Sequence, residues 1–290
     1  MVYDAAIIGT GPAGVSAALT LAANNKKFLL IGSATLSDKV GRAERIANYP
    51  GLPMVTGAEM NAVFRKQLAE LNIDITDRMV TGIADLGDHY GLMAGSEFYE
   101  AAAVILTTGV AAAGTLPGEA DLVGRGVSYC ATCDGNLYKG KTIAVICNAR
   151  RFEHEAVFLS ELASKVYFFP GYKDAGRIGD NVETPSARPV KMNSDHNRLT
   201  SLTLQDGSDL PVDGVFCLRD SMSLATLMPG LATEDGHIAV DRGMKTNLRG
   251  CFAAGDCTGR PYQYVKAAGE GNVAAHSVIA FLAARKAQEE

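Results

Sequence analysis

Near its N-terminus the chain reads IIGTGPAG, from Ile7 to Gly14. The residues leading into the glycines, 3–9, are mostly apolar and predict a buried strand of a parallel sheet. The residues that follow, 11–25, are rich in Ala and Leu and predict a helix, and Phe28 to Ile31 predicts a second strand. The stretch therefore predicts a β-α-β unit with a glycine-rich first turn.

A G-x-G-x-x-G turn in this position suits a dinucleotide. Its glycines, Gly9, Gly11 and Gly14, permit a tight turn and let the backbone approach a pyrophosphate. The helix that follows presents N–H groups and the positive end of its dipole to the anion. We expect a dinucleotide site here, although Gly32-Ser33 stands at the end of the second strand, where an acidic residue usually binds the ribose.

A second β-α-β unit begins in the middle of the chain. Residues 141–147 and 165–169 predict strands, and residues 153–164 predict the helix between them. The sequence thus predicts an α/β fold with two Rossmann-like, three-layer nucleotide-binding domains. The second domain is inserted in the first, whose chain resumes near Asp241.

Two segments carry weaker patterns. The apolar run Val104 to Leu106 predicts a short strand, and the polar stretch 179–197 predicts irregular structure.

A dithiol motif, Cys130-Ala-Thr-Cys133-Asp134, lies between the two β-α-β units. A C-x-x-C pair holds two sulfurs close together, can close into a disulfide and can lower the pKa of one thiol. The chain has no second C-x-x-C pair, so we expect no metal site. The single cysteines stand in apolar, strand-like contexts and are expected to be buried: Cys147, Cys217, Cys251 and Cys257.

Composition narrows the class of protein. The chain has 290 residues, 47% of them hydrophobic, and a formal net charge of −5, which argues against a nucleic-acid surface. The apolar stretches are too short or too interrupted to span a bilayer, and the first residues lack the basic region of a signal peptide. We expect a cytoplasmic protein without a membrane partner.

At this point the chain resembles the low-molecular-weight thioredoxin reductases, over nearly its whole length. Five segments carry the resemblance: IIGTGPAG at 7–14, NYPG at 48–51, GRGVSYCATCDG at 124–135, CFAAGD at 251–256 and QYVKAAGEG at 263–271. The resemblance implies an FAD domain formed by residues 1–112 and 241–290, a middle domain formed by residues 113–240, and a homodimer.

The resemblance also implies roles for individual residues. Cys133 resembles the sulfur that faces the flavin, Cys130 the sulfur that attacks the partner's disulfide, and Asp134 the acid that protonates the departing thiolate. The residues expected to bind FAD are Gly9, Gly11, Pro12, Ala13, Gly14, Gly32, Ser33, Lys39, Asn48, Val80, Thr108, Gly109, Gly255, Asp256, Gln263, Tyr264 and Val265.

The sequence departs from this family where NADPH normally binds. Cys147 to Phe152 replaces a Gly-x-Gly-x-x-Ala turn, and Pro170-Gly171-Tyr172 replaces a His-Arg-Arg run that holds the 2′-phosphate. A third change, Leu218 to Ser223, falls in a turn of the same site. The loss of three contacts of one ligand argues against NADPH binding, although Arg150 and Arg151 leave open a remodelled phosphate site.

One departure falls in the FAD domain. Ser37-Asp38-Lys39-Val40 replaces a Gly-Gly-Gln-Leu segment, so Lys39 either places a cation near the flavin or is a solvated surface lysine.

The leading hypothesis is an FAD-dependent, thioredoxin-reductase-like disulfide oxidoreductase that does not use NAD(P)H. It would reduce thioredoxin or a similar small disulfide protein through Cys130 and Cys133, with ferredoxin or another low-potential carrier as a possible donor. A second flavin could occupy the middle domain. The alternatives are a dithiol oxidase that uses O₂, an NAD(P)H-using reductase with a remodelled site, and a flavin-binding redox sensor.

Overall fold

The computed structural model of the chain describes residues 1–109, 116–129, 131–219 and 224–289. The chain divides into two compact units, unit 1 (Met1–Ala111 and Leu227–Glu290) and unit 2 (Ala112–Thr226), so unit 2 is inserted in unit 1. The chain returns to unit 1 at Leu227, before the expected Asp241. Asn247 hydrogen-bonds this segment within unit 1: its Nδ2 donates to Gly230 O (2.9 Å), and its Oδ1 accepts from Ala232 N–H (2.8 Å).

The described part of the chain contains the following regular elements. The strands are β1 (Val2–Ile8), β2 (Phe28–Gly32), β3 (Ile75–Asp77), β4 (Val80–Asp85), β5 (Tyr90–Ala94), β6 (Glu97–Leu106), β7 (Val127–Ser128), β8 (Thr142–Cys147), β9 (Lys165–Pro170), β10 (Val182–Glu183), β11 (Pro189–Asp195), β12 (Arg198–Leu204), β13 (Asp209–Pro211), β14 (Gly214–Leu218), β15 (Thr233–Glu234), β16 (His237–Ile238) and β17 (Cys251–Ala253). The α-helices are α1 (Pro12–Ala23), α2 (Asp38–Gly41), α3 (Gly57–Glu70), α4 (Ala131–Asp134), α5 (Glu153–Leu162), α6 (Leu224–Leu227) and α7 (Tyr264–Glu289). Short 3₁₀ turns cover Ala120–Leu122, Gly135–Tyr138, Arg150–Phe152 and Asp256–Thr258.

In unit 1 one seven-stranded sheet combines a parallel part with an antiparallel meander. Its parallel part runs in the order β3-β2-β1-β6, with β17 parallel to β6, and β4 and β5 extend β6 as an antiparallel meander. Helices α1 and α7 pack closely because their contact residues are small. A Cβ atom added at Gly271 of α7 would lie 2.1 Å from Ala13 O of α1. One core joins strand residues such as Ile7 and Ile105 to helix residues such as Leu21.

In unit 2 a five-stranded parallel sheet has the order β10-β9-β8-β14-β7, and β11, β12 and β13 form a separate antiparallel meander. Helix α5 packs on the parallel sheet, and the core includes Val145, Leu159, Phe168 and Phe216. Both units therefore contain the β-α-β arrangement that the sequence predicts, and the α/β, Rossmann-like fold class is confirmed.

Two sequence-based expectations were wrong in detail. Strand β6 begins at Glu97 rather than Val104, because its first half pairs with β5 and is partly exposed, which hides it from a search for apolar runs. The stretch 179–197 is not irregular, since it contains β10 and β11. In β11 only Met192 is buried, so the strand lacks a clear apolar alternation.

Within the part of the chain that the structure describes, no helix combines the length and the apolar character needed to cross a membrane.

Candidate functional site

The glycine turn of unit 1 is built around backbone contacts. Gly9 has a φ of +119°, and a Cβ there would lie 2.3 Å from Thr107 O at the end of β6. A Cβ at Gly14 would lie 1.9 Å from Gly9 O. The Thr107 hydroxyl donates to Ile8 O (2.9 Å) and lies 3.0 Å from Gly9 O. The turn is therefore fixed against β6, and the sequence did not single out Thr107 for this work.

Gly11 has a different environment. It is the N-cap of α1, with no side-chain cap, and an added Cβ would meet nothing closer than Ser37 Cβ at 3.9 Å. The fold itself therefore does not require glycine here. A phosphate group approaching the α1 N-terminus does require it, since a side chain would occupy that approach. This open cradle fits the pyrophosphate of FAD.

Most of the predicted cofactor residues gather at one edge of the sheet. Because β1, β2, β6 and β17 are parallel, their carboxyl ends share an edge, where α/β folds bind nucleotides. At the end of β2, Thr10 Oγ1 donates to Ser33 O (3.0 Å) and packs on Gly32. The structure thus brings to this edge Gly9, Gly11, Pro12, Ala13, Gly14, Gly32, Ser33, Thr108, Gly109, Gly255 and Asp256.

Lys39 pairs with Asp256 in this group. Lys39 Nζ lies 3.1 Å from Asp256 Oδ2 and 5.5 Å from the centre of the Tyr262 ring. The lysine side chain is 65% exposed and the aspartate 18%. A cation therefore lies beside a carboxylate that is expected to bind FAD, and Lys39 has an ionic partner as well as contact with solvent.

The turn that carries Asp256 is held by α7. Glu270 Oε2 accepts from Gly255 N–H (2.9 Å) and from the Thr258 hydroxyl (2.9 Å). Lys266 Nζ donates to Gly255 O (3.0 Å) and forms an ion pair with Glu270 (3.0 Å). Sequence reasoning missed both side chains, although their i, i+4 spacing within QYVKAAGEG was a usable signal.

A second contact joins two predicted residues. Asn48 Nδ2 donates to Gln263 Oε1 (2.7 Å), which ties the NYPG segment to the start of α7. Tyr264 and Val265 follow in the first turn of α7, and Val265 is 42% exposed. Val80 is buried at the start of β4.

The dithiol motif belongs to unit 2. Cys130 lies outside the described residues, and Cys133 lies in α4, where its backbone is described. Asp134 ends α4, and its Oδ2 accepts from the hydroxyl of the buried Ser128 at 2.6 Å. The expected proton donor is therefore held by a neighbour that sequence reasoning did not single out.

The four single cysteines are free and buried, as expected. Burial raises the pKa of Cys217 and Cys251 to about 12 and that of Cys257 to about 11. These thiols therefore stay protonated near neutral pH. Among the described residues, no group of three or more His, Cys, Asp or Glu side chains is arranged to hold a metal ion.

The carboxyl edge of the unit 2 sheet is filled by side chains. Glu153 begins α5, and its Oε1 accepts from the Tyr172 hydroxyl (2.9 Å) and from Gly176 N–H (3.0 Å). The hydrogen bond from Gly176 lowers the pKa of Glu153. A carboxylate thus lies at the helix N-terminus where a nucleotide pyrophosphate would bind.

Residues of the turn after β8, Cys147 to Phe152, also occupy this edge of the sheet. Cys147 is fully buried at the end of β8, its Sγ donates to Ala149 O (3.3 Å), and its Sγ lies 3.7 Å from the Tyr172 hydroxyl. Arg150 donates to Asp174 O, which ties the turn after β8 to the loop after β9. The third departure extends into residues 220–223, which lie outside the described residues.

Comparison with known proteins identifies the family to which the chain is similar. The model of the pyridine nucleotide-disulphide oxidoreductase family matches residues 3–148 and 180–271. The thioredoxin reductase of Bacillus subtilis (strain 168) is 31% identical over 296 residues, covering 96% of this chain and 94% of that protein.

Solved structures agree with this comparison. The crystal structure of a ferredoxin-flavin thioredoxin reductase from Clostridium acetobutylicum matches with a TM-score of 0.93 and 43% identity, over 99% of each chain. An atypical thioredoxin reductase from Desulfovibrio vulgaris Hildenborough matches with a TM-score of 0.64 and 30% identity, over 97% of this chain and 98% of that one.

Proposed function

Because the chain belongs to the pyridine nucleotide-disulphide oxidoreductase family and is a thioredoxin-reductase-like flavin disulfide oxidoreductase, we propose that it reduces thioredoxin or a similar small disulfide protein. We propose FAD as its cofactor, Cys130 and Cys133 as its redox dithiol, and an electron source other than NAD(P)H.

The flavin site is assigned to the carboxyl edge of the unit 1 sheet. The open turn at Gly11 would hold the pyrophosphate, and the Lys39–Asp256 pair would lie toward the ribityl chain. When bound, FAD supplies the two electrons that the disulfide accepts. Lys266 and Glu270 fix the turn that carries Asp256, so this carboxylate keeps its position for a ligand hydroxyl.

The dithiol chemistry follows from thiol–disulfide exchange. The Cys130 thiolate attacks one sulfur of the partner's disulfide, a mixed disulfide forms, and one partner thiolate departs. Cys133 then attacks Cys130, which releases the second partner thiolate and closes the Cys130–Cys133 disulfide. Two electrons and two protons have moved to the partner. Asp134, held by Ser128, is placed to protonate a departing thiolate.

The proposed independence from NAD(P)H is supported most directly by the carboxylate of Glu153 at the α5 N-terminus. This carboxylate accepts hydrogen bonds from Tyr172 and Gly176 in the loop after β9. The start of α5 and this loop, which would surround a pyrophosphate, are therefore bonded to each other. A phosphate brought there would meet a negative charge and would have to displace both bonds. The similarity to a ferredoxin-flavin thioredoxin reductase supports ferredoxin, or another low-potential carrier, as donor.

Anaerobic mixing tests the proposal. We expect excess NADPH or NADH to leave the flavin band unchanged, and chemically reduced ferredoxin to bleach it and to support thioredoxin reduction. Rapid bleaching by either nicotinamide would contradict the donor assignment. Peroxide formation from a small dithiol and O₂ would instead identify a dithiol oxidase. A Cys133→Ser protein is the control, since it retains the flavin site and loses the disulfide.

Two further features are proposed with this function. We propose a homodimer with one FAD in unit 1 of each copy. Sedimentation tests the dimer, and the absorbance ratio of flavin to protein tests the number of flavins per chain. A ratio of two flavins per chain would support a second flavin in unit 2.

A further inference from the structure

A buried charge cluster in unit 2 contacts Tyr129, the residue that precedes Cys130 in the sequence. Glu119 and Arg219 form an ion pair with Nη2 and Oε2 2.8 Å apart, and their side chains are 0% and 1% exposed. The hydroxyl of Tyr129 donates to Glu119 Oε1 at 2.5 Å. The guanidinium carbon of Arg219 lies 5.7 Å from the centre of the Tyr129 ring.

The Glu119 carboxylate joins three parts of the chain. Its Oε2 also accepts from Leu116 N–H at 3.0 Å, near the point where the described part of unit 2 begins. Arg219 directly follows β14, near the point where the chain leaves the parallel sheet. Tyr129 directly precedes Cys130. The cluster therefore links the entry and the exit of the unit to the residue before the redox cysteine.

The segment before Cys130 is restrained on both of its sides. Val127 and Ser128 pair with Val215 and Phe216 of β14. Successive side chains of an extended segment point in opposite directions. Ser128 hydrogen-bonds Asp134, whereas Tyr129 reaches Glu119.

A buried ion pair is a costly way to gain stability. Removing two charges from water costs several kcal/mol per ion, and apolar side chains of similar volume often serve a core equally well. Burial raises the pKa of Tyr129, and the hydrogen bond to Glu119 adds to this, so the hydroxyl stays protonated and remains a donor. A fixed charge pair specifies one position for this donor, which an apolar contact would not.

We propose that Glu119 and Arg219 are positioning residues for the redox dithiol and that they act through the Tyr129 hydroxyl. By fixing Tyr129, the residue before Cys130, the cluster restricts the conformations open to the dithiol segment and so favours the closed disulfide over the dithiol. The inference extends the proposed function, since it concerns the same dithiol, but it makes a claim about the disulfide itself. Neither thioredoxin nor the electron donor enters that claim.

The test is the equilibrium of the enzyme's own disulfide with dithiothreitol. In this reaction the Cys130–Cys133 disulfide gains two electrons and two protons, and dithiothreitol becomes its cyclic disulfide. Mass spectrometry of the alkylated peptide that carries both cysteines gives the equilibrium constant. We expect Tyr129→Phe to shift the equilibrium about fivefold toward the dithiol, the effect of one lost hydrogen bond.

Matched variants separate positioning from general stability. Tyr90→Phe removes an equally buried hydroxyl in unit 1, which donates to Arg249 O at 2.7 Å, and should leave the constant within about twofold of wild type. Arg219→Met should shift it at least as far as Tyr129→Phe, and Arg219→Lys, which keeps the charge, should restore part of the shift.

The outcome is decisive even if a charge variant does not fold, because Tyr129→Phe removes a single oxygen atom and retains the ring. A folded Tyr129→Phe protein with a wild-type equilibrium constant would overturn the proposal. Failure to reduce thioredoxin would count against the proposed function alone, since dithiothreitol replaces both thioredoxin and donor in this measurement.

Discussion

The hydrogen bond from Ser128 to Asp134 offers a test of the role of Asp134 as proton donor. Its hydroxyl lies 2.6 Å from Asp134 Oδ2 and is buried, so Ser128→Ala removes a hydrogen bond to the expected proton donor. We expect the rate of thioredoxin reduction by the pre-reduced enzyme to fall about tenfold, because the Asp134 side chain loses the contact that fixes its position and misplaced catalytic groups transfer protons slowly. Single-turnover kinetics, followed over a range of pH, measure this rate.

The chain offers a close control for that variant. Ser208 donates to Asp206 Oδ1 at the same distance, 2.6 Å, on an exposed turn of unit 2. Ser208→Ala should leave the rate unchanged. Equal rates for Ser128→Ala and wild type would show that Asp134 does not depend on this hydrogen bond.

Lys39 tests the electrostatics of the flavin site. We expect Lys39→Gln to lower the flavin reduction potential, because loss of the cation leaves the charge of Asp256 uncompensated. A partly exposed ion pair contributes about 0.5–1 kcal/mol, which corresponds to about 10–20 mV for a two-electron couple. Dye-coupled potentiometry measures the shift. Lys66→Gln, which breaks a 3.9 Å pair with Glu70 on α3, is the control, and the same potential in both variants would make Lys39 a solvated surface lysine.

Two glycines in the turn between β1 and α1 have different roles: Gly11 leaves space for a ligand, whereas Gly14 permits close contact within the fold. Gly11→Ala adds a Cβ with no neighbour closer than 3.9 Å. The free energy of unfolding of the apoprotein should therefore stay within about 1 kcal/mol of wild type, since alanine is a weaker N-cap but also lowers the entropy of the unfolded chain. The affinity of this variant for FAD should nevertheless fall at least about tenfold, since the methyl group enters the phosphate cradle. Gly14→Ala places a Cβ 1.9 Å from Gly9 O and should destabilise the apoprotein by about 1–3 kcal/mol.

Flavin fluorescence titration and thermal unfolding of the apoprotein distinguish the two variants. Unchanged FAD affinity in Gly11→Ala would place the pyrophosphate elsewhere.

The same elements show what the sequence could and could not predict. The β-α-β units were predictable because the apolar period and the glycine spacing are local signals, and the turn at Gly9 to Gly14 needed nothing more. The contacts of Glu119 were not predictable, because Arg219 lies 100 residues away in the chain and only the folded sheet brings them together. Strand β11 escaped prediction because nearly all its side chains are exposed or half-buried, so its pairing with β12 leaves no apolar trace.

Considered over the whole chain, the departures from the family pattern concentrate in unit 2. Unit 1 keeps an open turn at Gly11, whereas unit 2 fills its corresponding edge with Glu153, Tyr172 and Cys147. The two β-α-β units therefore differ at the turn before the helix: in unit 1 the turn is open, whereas in unit 2 a carboxylate at the helix N-terminus accepts hydrogen bonds from the loop after β9. Unit 2 then remains as the carrier of the dithiol.

This division predicts that unit 2 folds alone. The described residues of unit 2 have their own core around Val145, Phe168 and Phe216, and the Glu119–Arg219 pair joins its first and last described parts. A domain of roughly this size buries enough surface to be stable by itself. We expect the isolated fragment to unfold cooperatively in circular dichroism and to form the Cys130–Cys133 disulfide reversibly with dithiothreitol. The fragment should bind no FAD, because it lacks the turn at Gly11. A fragment that melts without a cooperative transition would show that the dithiol depends on unit 1 for its structure as well as for its electrons.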